Sequence, residues 1–297
     1  MKALWVACSL AVLCAVAPGA ARADEPNAPK ADEAKKKSED QGWWSGLPLL
    51  KEQAIAAGAD LPLPFGVALV PTGLKGREVD ITDVRVGLNG EPRSVSRFVD
   101  LGTTSDVIPV NLKVDAWLLP FLNLYTLLGY VHNDSTTHGL VTIPRPGPIP
   151  GSRTFAANIP TELDGFVGGL GATLAGGYKQ LFAVADCNYD TIDIGFDSKF
   201  HALIATARTG WNGTIHELPV QFWVGAGYWD TAATAKGHVD IAGVGRLTFE
   251  ADQRPVKYWM YDLGGQFNFS KRFQLFIDVG TDFAGGYVFA AGPTVRF

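Results

Sequence analysis

Four stretches of the chain alternate strictly between apolar and polar positions. In 110–118, Val110, Leu112, Val114, Ala116 and Leu118 oppose Asn111, Lys113, Asp115 and Trp117. In 218–228, Leu218, Val220, Phe222, Val224, Ala226 and Tyr228 oppose Gln221, Trp223, Gly225 and Gly227. In 259–269, Trp259, Tyr261, Leu263, Gly265, Phe267 and Phe269 oppose Met260, Asp262, Gly264, Gln266 and Asn268, and in 275–279 Leu275, Ile277 and Val279 oppose Phe276 and Asp278. Backbone pairing turns successive side chains to opposite faces of a sheet, so a period of two predicts strands with one apolar face. That face carries no charge in any of the four stretches, while the other holds Lys113, Asp115, Asp262 and Asp278. A soluble sandwich also alternates, but it points its apolar face inward and seldom ends these rows in Trp, Tyr and Phe. Aromatic rows at strand ends match the interfacial girdles of a membrane barrel. At the C-terminus Tyr287, Phe289, Ala291, Pro293, Val295 and Phe297 again share one face.

The pattern predicts an all-β fold: a transmembrane, antiparallel, up-and-down barrel over 61–297 of about 12 strands, within a range of 10–14. The expected strands lie near 65–71, 79–88, 95–101, 107–118, 122–131, 164–177, 181–190, 199–211, 217–229, 257–269, 273–281 and 287–297. In 79–88 the phase slips between Ile81 and Val84, which predicts a bulge near Thr82-Asp83. If 239–250 also spans, parity demands a partner strand and fourteen in all. Short turns are expected at Pro120-Phe121, Tyr178-Lys179-Gln180, Asn212-Gly213 and Ser270-Lys271-Arg272, with long connections at 132–163, 191–198 and 230–256. Short turns on one side and long loops on the other are what an outer-membrane barrel shows.

The N-terminal end supports export. Residues 1–23 divide into a Lys2 n-region, an apolar run from Ala3 to Ala17 and the small-residue site Ala21-Arg22-Ala23, which reads as a cleaved signal peptide. Its loss takes the formal charge from −5 to −7, because Lys2 and Arg22 leave with it, and this argues against a nucleic-acid partner. Cys8 and Cys14 leave too, so Cys187 alone remains and no disulfide framework is available. After residue 23 no run of about eighteen apolar residues exists, so a helical span is not expected. Yet 47% of the chain is hydrophobic, and that surface must be placed in strands. Residues 24–41 are charged and low in apolar content, predicting a disordered periplasmic lead-in. Residues 42–60 predict a short amphipathic helix from about Leu49 to Ala57, ended by Gly58, either on the periplasmic membrane surface or plugging the lumen.

With Ala21-Arg22-Ala23, the alternating strands and Val295-Arg296-Phe297 in place, residues 61–297 resemble bacterial outer-membrane β-barrel proteins of Gram-negative cells. The resemblance singles out no subfamily. It implies insertion into outer-membrane lipid by the barrel assembly machinery with periplasmic chaperones. Tyr287, Phe289, Val295 and Phe297 would be the assembly signal. It leaves the oligomeric state open.

Under this topology the polar faces line a lumen, with Lys113, Asp115, Asp186, Arg208, Asp262 and Asp278 as the lining candidates, joined by Arg97, Asp190 and Arg296. Opposite charges would either pair across a filled barrel or form the wall of a narrow, cation-leaning pore. His132, His138, His201 and His238 fall in or beside outer loops with many acids, but no metal-ligand spacing appears, so no metal and no cofactor are expected. The prolines at 144, 146, 148 and 150 predict a stiff, extended loop. The Gly168-Gly169, Gly171 and Gly176-Gly177 run lacks the strand-to-helix context of a phosphate loop and reads as crowded strand packing. The leading expectation is a small passive channel for small hydrophilic or cationic solutes. The alternatives are a closed barrel acting through its outer loops, and a lipid-modifying enzyme built on His201 with Ser198 or Ser135. No nucleophile motif supports the last, and the chain is not expected to be an enzyme.

Overall fold

In the computed structural model, residues 46–88, 90–145, 151–194, 200–241 and 245–297 are described. The segment expected as signal peptide and disordered lead-in lies outside them. One short helix, α1 (Lys51–Ala56), precedes thirteen strands: β1 (Phe65–Leu88), β2 (Arg93–Ser94), β3 (Val99–Leu119), β4 (Leu122–Arg145), β5 (Gly151–Tyr178), β6 (Leu181–Asp193), β7 (Phe200–Ile215), β8 (Leu218–Asp230), β9 (Ala233–Ile241), β10 (Gly245–Pro255), β11 (Trp259–Asn268), β12 (Phe273–Thr281) and β13 (Tyr287–Arg296). Among the described residues no helix is long and apolar enough to cross a membrane.

Neighbouring strands pair antiparallel in the order β1-β3-β4-β5-β6-β7-β8-β11-β12-β13, and β13 returns to pair with β1 from Gly66↔Arg296 to Lys75↔Tyr287. Ten strands therefore close a barrel, the low end of the expected range. The difference from twelve has a local cause. The expected strands 65–71 and 79–88 are one strand, and 95–101 and 107–118 largely merge into another. Residues expected as turns there pair across the β1–β3 ladder, whose register shifts between Leu74 and Arg77 around Gly76, at φ 66°. A residue with positive φ suits glycine, and here it lets the chain kink without ending the strand. The bulge expected near Thr82-Asp83 is present as a register shift between Ile81 and Asp83. Arg97 sits in a single helical turn (Ser96–Phe98) rather than in a strand, stacked on its neighbour Phe98 at 4.4 Å.

The connection expected at 132–163 is mostly strand: β4 and β5 pair in unbroken register from Leu122↔Leu174 to Arg145↔Gly151. Its proline-rich stretch lies largely outside the described residues. Likewise 230–256 holds the hairpin β9–β10, which does not join the ring; β10 pairs with the far half of β1, Val79↔Pro255 to Leu88↔Leu247. At the short-turn end, the β7–β8 turn falls at His216-Glu217, both with positive φ, and not at Asn212-Gly213, which pairs within the ladder.

The segment before β1 is folded against that short-turn end. Ile55 and Leu63 are buried, the amide of Leu49 donates to the Leu118 carbonyl at 2.8 Å, and that of Trp117 to Pro64 at 2.8 Å. The helix of this segment is six residues long, Lys51–Ala56, with Ile55 as its buried residue.

Candidate functional site

Which face of each strand lines the lumen is shown by hydrogen bonds that skip a strand, since such contacts can be made only across the concave side of a closed sheet. Arg208 on β7 reaches over β8 to Asp262 on β11 (3.0 Å) and to Asp278 on β12 (2.8 Å). Tyr125 on β4 donates over β5 to Asp186 on β6 at 2.7 Å. Arg296 on β13 donates over β1 to Asp115 on β3 at 3.1 Å. All six residues selected from the sequence are drawn into this interior network, and Lys113 lies with its ammonium 3.8 Å from the Tyr125 ring centroid.

The network forms a charged layer across the barrel. Asp115 also accepts from Asn123 (2.6 Å), and Arg296 donates to the Gln274 amide oxygen and to the Leu63 carbonyl. Asp186 accepts from Thr173 (2.5 Å), and Asp190 from Asn188 (2.6 Å). Asp278 accepts from the Trp223 indole at 3.2 Å. Within this layer three bases (Lys113, Arg208, Arg296) thus face five acids (Asp115, Asp186, Asp190, Asp262, Asp278), an excess of two negative charges, while Arg77, further along β1 opposite Ser105, is a fourth base, itself buried, with its guanidinium 5.6 Å from the Trp229 ring centroid. The side chain of Arg208 keeps 30% of its surface accessible, whereas Asp262 and Asp278 keep 8% and 9%. Asp190 Oδ1, Asn111 Oδ1 and Trp117 Nε1 are buried without a protein hydrogen-bond partner.

Two glycines of the run, Gly169 and Gly171, are explained by this layer, whereas a Cβ at Gly168 or Gly176 would meet nothing within 4 Å. A Cβ at Gly171 would run into the Tyr125 ring, and one at Gly169 into the Asp190 carboxylate. Sequence reasoning did not select Asn123, Tyr125 or Trp223. Trp223 already stands on the polar row of 218–228, but nothing in the row marks it as a partner of Asp278; Tyr125 looks like an outward residue unless the register is known, and the glycine opposite it is the signal that was available.

The outside of the barrel is apolar. Leu69, Leu112, Leu128, Leu170, Val224, Leu263 and Phe289 all keep more than two-fifths of their surface exposed. On β4 the outward row Leu122, Leu124, Thr126, Leu128 and Tyr130 rises about 26 Å along the strand, or about 20 Å along the axis at a tilt of ~40°. Tyr130 and Phe166 close the row edge to face at 6.0 Å. Tyr287, Phe289, Val295 and Phe297 are exposed around β13.

Above this belt the outward face turns polar. The next rungs pair His132 with Asp164 and Asp134 with Glu162. Further out, Arg85 clamps Asp252 and pairs with Glu250, tying β10 to β1. Hydrogen bonds from Ser96 and Ser94 hold the Asp83 carboxyl below the ordinary carboxylate range. His201 stacks on Tyr189 at 5.5 Å and meets the Thr191 hydroxyl at 3.3 Å; Ser135 donates to the Thr161 carbonyl, and Ser198 lies outside the described residues.

No family model matches the chain, and no curated protein matches it. Among solved structures it is similar to the outer membrane protein OprG from Pseudomonas aeruginosa, at 12% identity and a TM-score of 0.40 over 80% of this chain and 98% of that one. It is similar to an outer membrane channel from Pseudomonas putida F1, at 15% identity and 0.37 over 80% and 97%. The translocator domain of the autotransporter NalP from Neisseria meningitidis gives 11% identity and 0.37 over 90% and 98%.

Proposed function

We propose that the chain is a bacterial outer-membrane β-barrel that passes small hydrophilic solutes by diffusion, cations in preference to anions. The inverted distribution of side chains supports the location. At the level of the apolar belt the closed ring leaves no backbone edge unpaired, and an outer apolar belt near the height of a bilayer core is the surface that lipid requires. In this reading the short-turn end faces the periplasm and the long strands face outward. Tyr287, Phe289, Val295 and Phe297 present the outward row by which the assembly machinery and its chaperones take up the chain.

One observation carries the transport reading: the inward face holds a charged layer with an acidic excess, centred on the partly accessible Arg208 between Asp262 and Asp278. Fixed charges in a narrow wet passage raise the local concentration of counter-ions and repel ions of their own sign. Selection is then by size and by charge, and no covalent step is involved. Single-channel recording of the purified, refolded protein under a salt gradient tests this: steady openings with a cation-side reversal potential are expected. A second reading, a closed barrel whose tall outer wall is its working part, is favoured by the burial of Asp115, Asn123, Asn188, Asp190, Asp278 and Arg296 to under a tenth of their surface. Silence in the bilayer would decide for it.

A further inference from the structure

The rungs just above the apolar belt bring together donors that are thirty residues apart in the chain. His132 Nε2 lies 3.4 Å from Asp134 Oδ2 and 4.0 Å from Glu162 Oε1, and one donor atom from each of the three falls within 4.8 Å of the others. We propose that His132, Asp134 and Glu162 form a binding site for a divalent transition-metal ion on the outer wall of the barrel.

The spacing fits the chemistry. With metal–ligand bonds of about 2.1 Å, donor atoms in a tetrahedral shell stand about 3.4 Å apart. The trio reaches that with small side-chain rotations, on backbone fixed by the β4–β5 ladder. The imidazole is also oriented. Its Nδ1 donates to Asp164 at 2.8 Å, which leaves Nε2 turned toward the two carboxylates. A carboxylate behind a ligating imidazole is the usual means of fixing its tautomer and raising its basicity. Asp164 is itself held by a hydrogen bond from the Tyr130 hydroxyl.

Charge gives an independent argument. Three carboxylates, Asp134, Glu162 and Asp164, share His132, while the nearby Lys75 is paired with Asp106 at 3.3 Å. The group is therefore anionic whether or not the imidazole is protonated, and a divalent cation offsets that charge. A surface depression of about 540 Å³ bounded by Asp106, Asp134, Thr136, Pro160 and Glu162 adjoins the trio and leaves room for the ion's remaining ligands. Imidazole among carboxylates favours zinc-like over calcium-like ions.

Isothermal titration of the detergent-solubilised protein with zinc chloride in a non-coordinating buffer tests the site, beside the variants His132→Ala, Glu162→Gln, Asp164→Asn and, as a distant control, His216→Ala. Saturable binding of one ion is expected, abolished in H132A, weakened in E162Q and D164N by about 10–100-fold, the range for loss of a supporting partner, and unchanged in H216A. Heat-modifiable gel mobility reports that each variant is folded. No saturable binding by the folded protein, or equal binding by folded H132A, overturns the proposal. Because the trio faces away from the lumen, neither result depends on whether the barrel conducts.

Discussion

The smallest unit that decides the behaviour of the interior is Arg208 between its two aspartates. Removing it leaves Asp262 and Asp278 confined together with no opposite charge, and breaking a buried ion pair from one side costs about 3–5 kcal/mol. Arg208→Met should therefore lower the thermal unfolding temperature followed by gel mobility, whereas Asp262→Asn, which leaves Arg208 its Asp278 partner, should cost less. In single-channel recordings D262N should also reduce the preference for cations, since the acidic excess falls from two to one. Unchanged selectivity would remove the layer from the permeation path. Gly171→Ala is a packing test: its Cβ meets the Tyr125 ring, and overpacking of this kind costs about 1–3 kcal/mol. Which residues face inward was legible from parity alone for Lys113, Asp115, Asp262 and Asp278. Their partners were not, because which charged group Asn123, Tyr125 or Trp223 meets is set by strand register. The same limit hid the His132, Asp134 and Glu162 cluster, whose members meet only through cross-strand pairing.

At the scale of elements, the hairpin β9–β10 answers a problem that the uneven barrel sets itself. β13 ends against Lys75, so the edge of β1 from Val79 to Leu88 would be left as unpaired backbone, a template for wrong partners. β10 covers that edge with nine registered pairs and is fastened by Arg85 to Glu250 and Asp252. Replacing 233–255 by a short flexible linker should leave the ten-stranded ring folded while the amides of residues 79–88 lose protection in hydrogen exchange. Retained protection would mean that the other side of the strand, β3 as far as Asp80 and β2 at Arg85 and Val86, holds this half without the hairpin. The sequence marks 239–250 as a possible strand but reads 132–163 as loop. Above the apolar belt neither face of a strand needs to be apolar, so the period-two signal fades while the backbone pairing continues.

For the whole molecule, ring closure was legible because each barrel strand must satisfy lipid on one side, whereas the strand number was blurred by two interrupted patterns that fold as single long strands. The remaining issue is the segment from Gly46 to Pro64, for which the sequence left two placements open. It is bonded to β3 at Leu118 and Trp117 and to β13 through Arg296 and Leu63, so it runs beneath the short-turn ends of the strands flanking β1. The ion pair from Asp60 to Lys271 adds little, being 4.0 Å long and well exposed. The anchoring comes from the buried Pro48, Ile55, Leu63 and Pro64 and the backbone bonds. In the proposed channel, a segment held this way at the short-turn end is expected to narrow the mouth without depending on the charged layer. Deleting residues 24–60 should therefore raise single-channel conductance while leaving the cation preference unchanged, because the acidic excess that sets the preference lies within the strands. Equal conductance would place the segment beside the path. A changed preference would move the selecting charges from the barrel wall to the N-terminal segment.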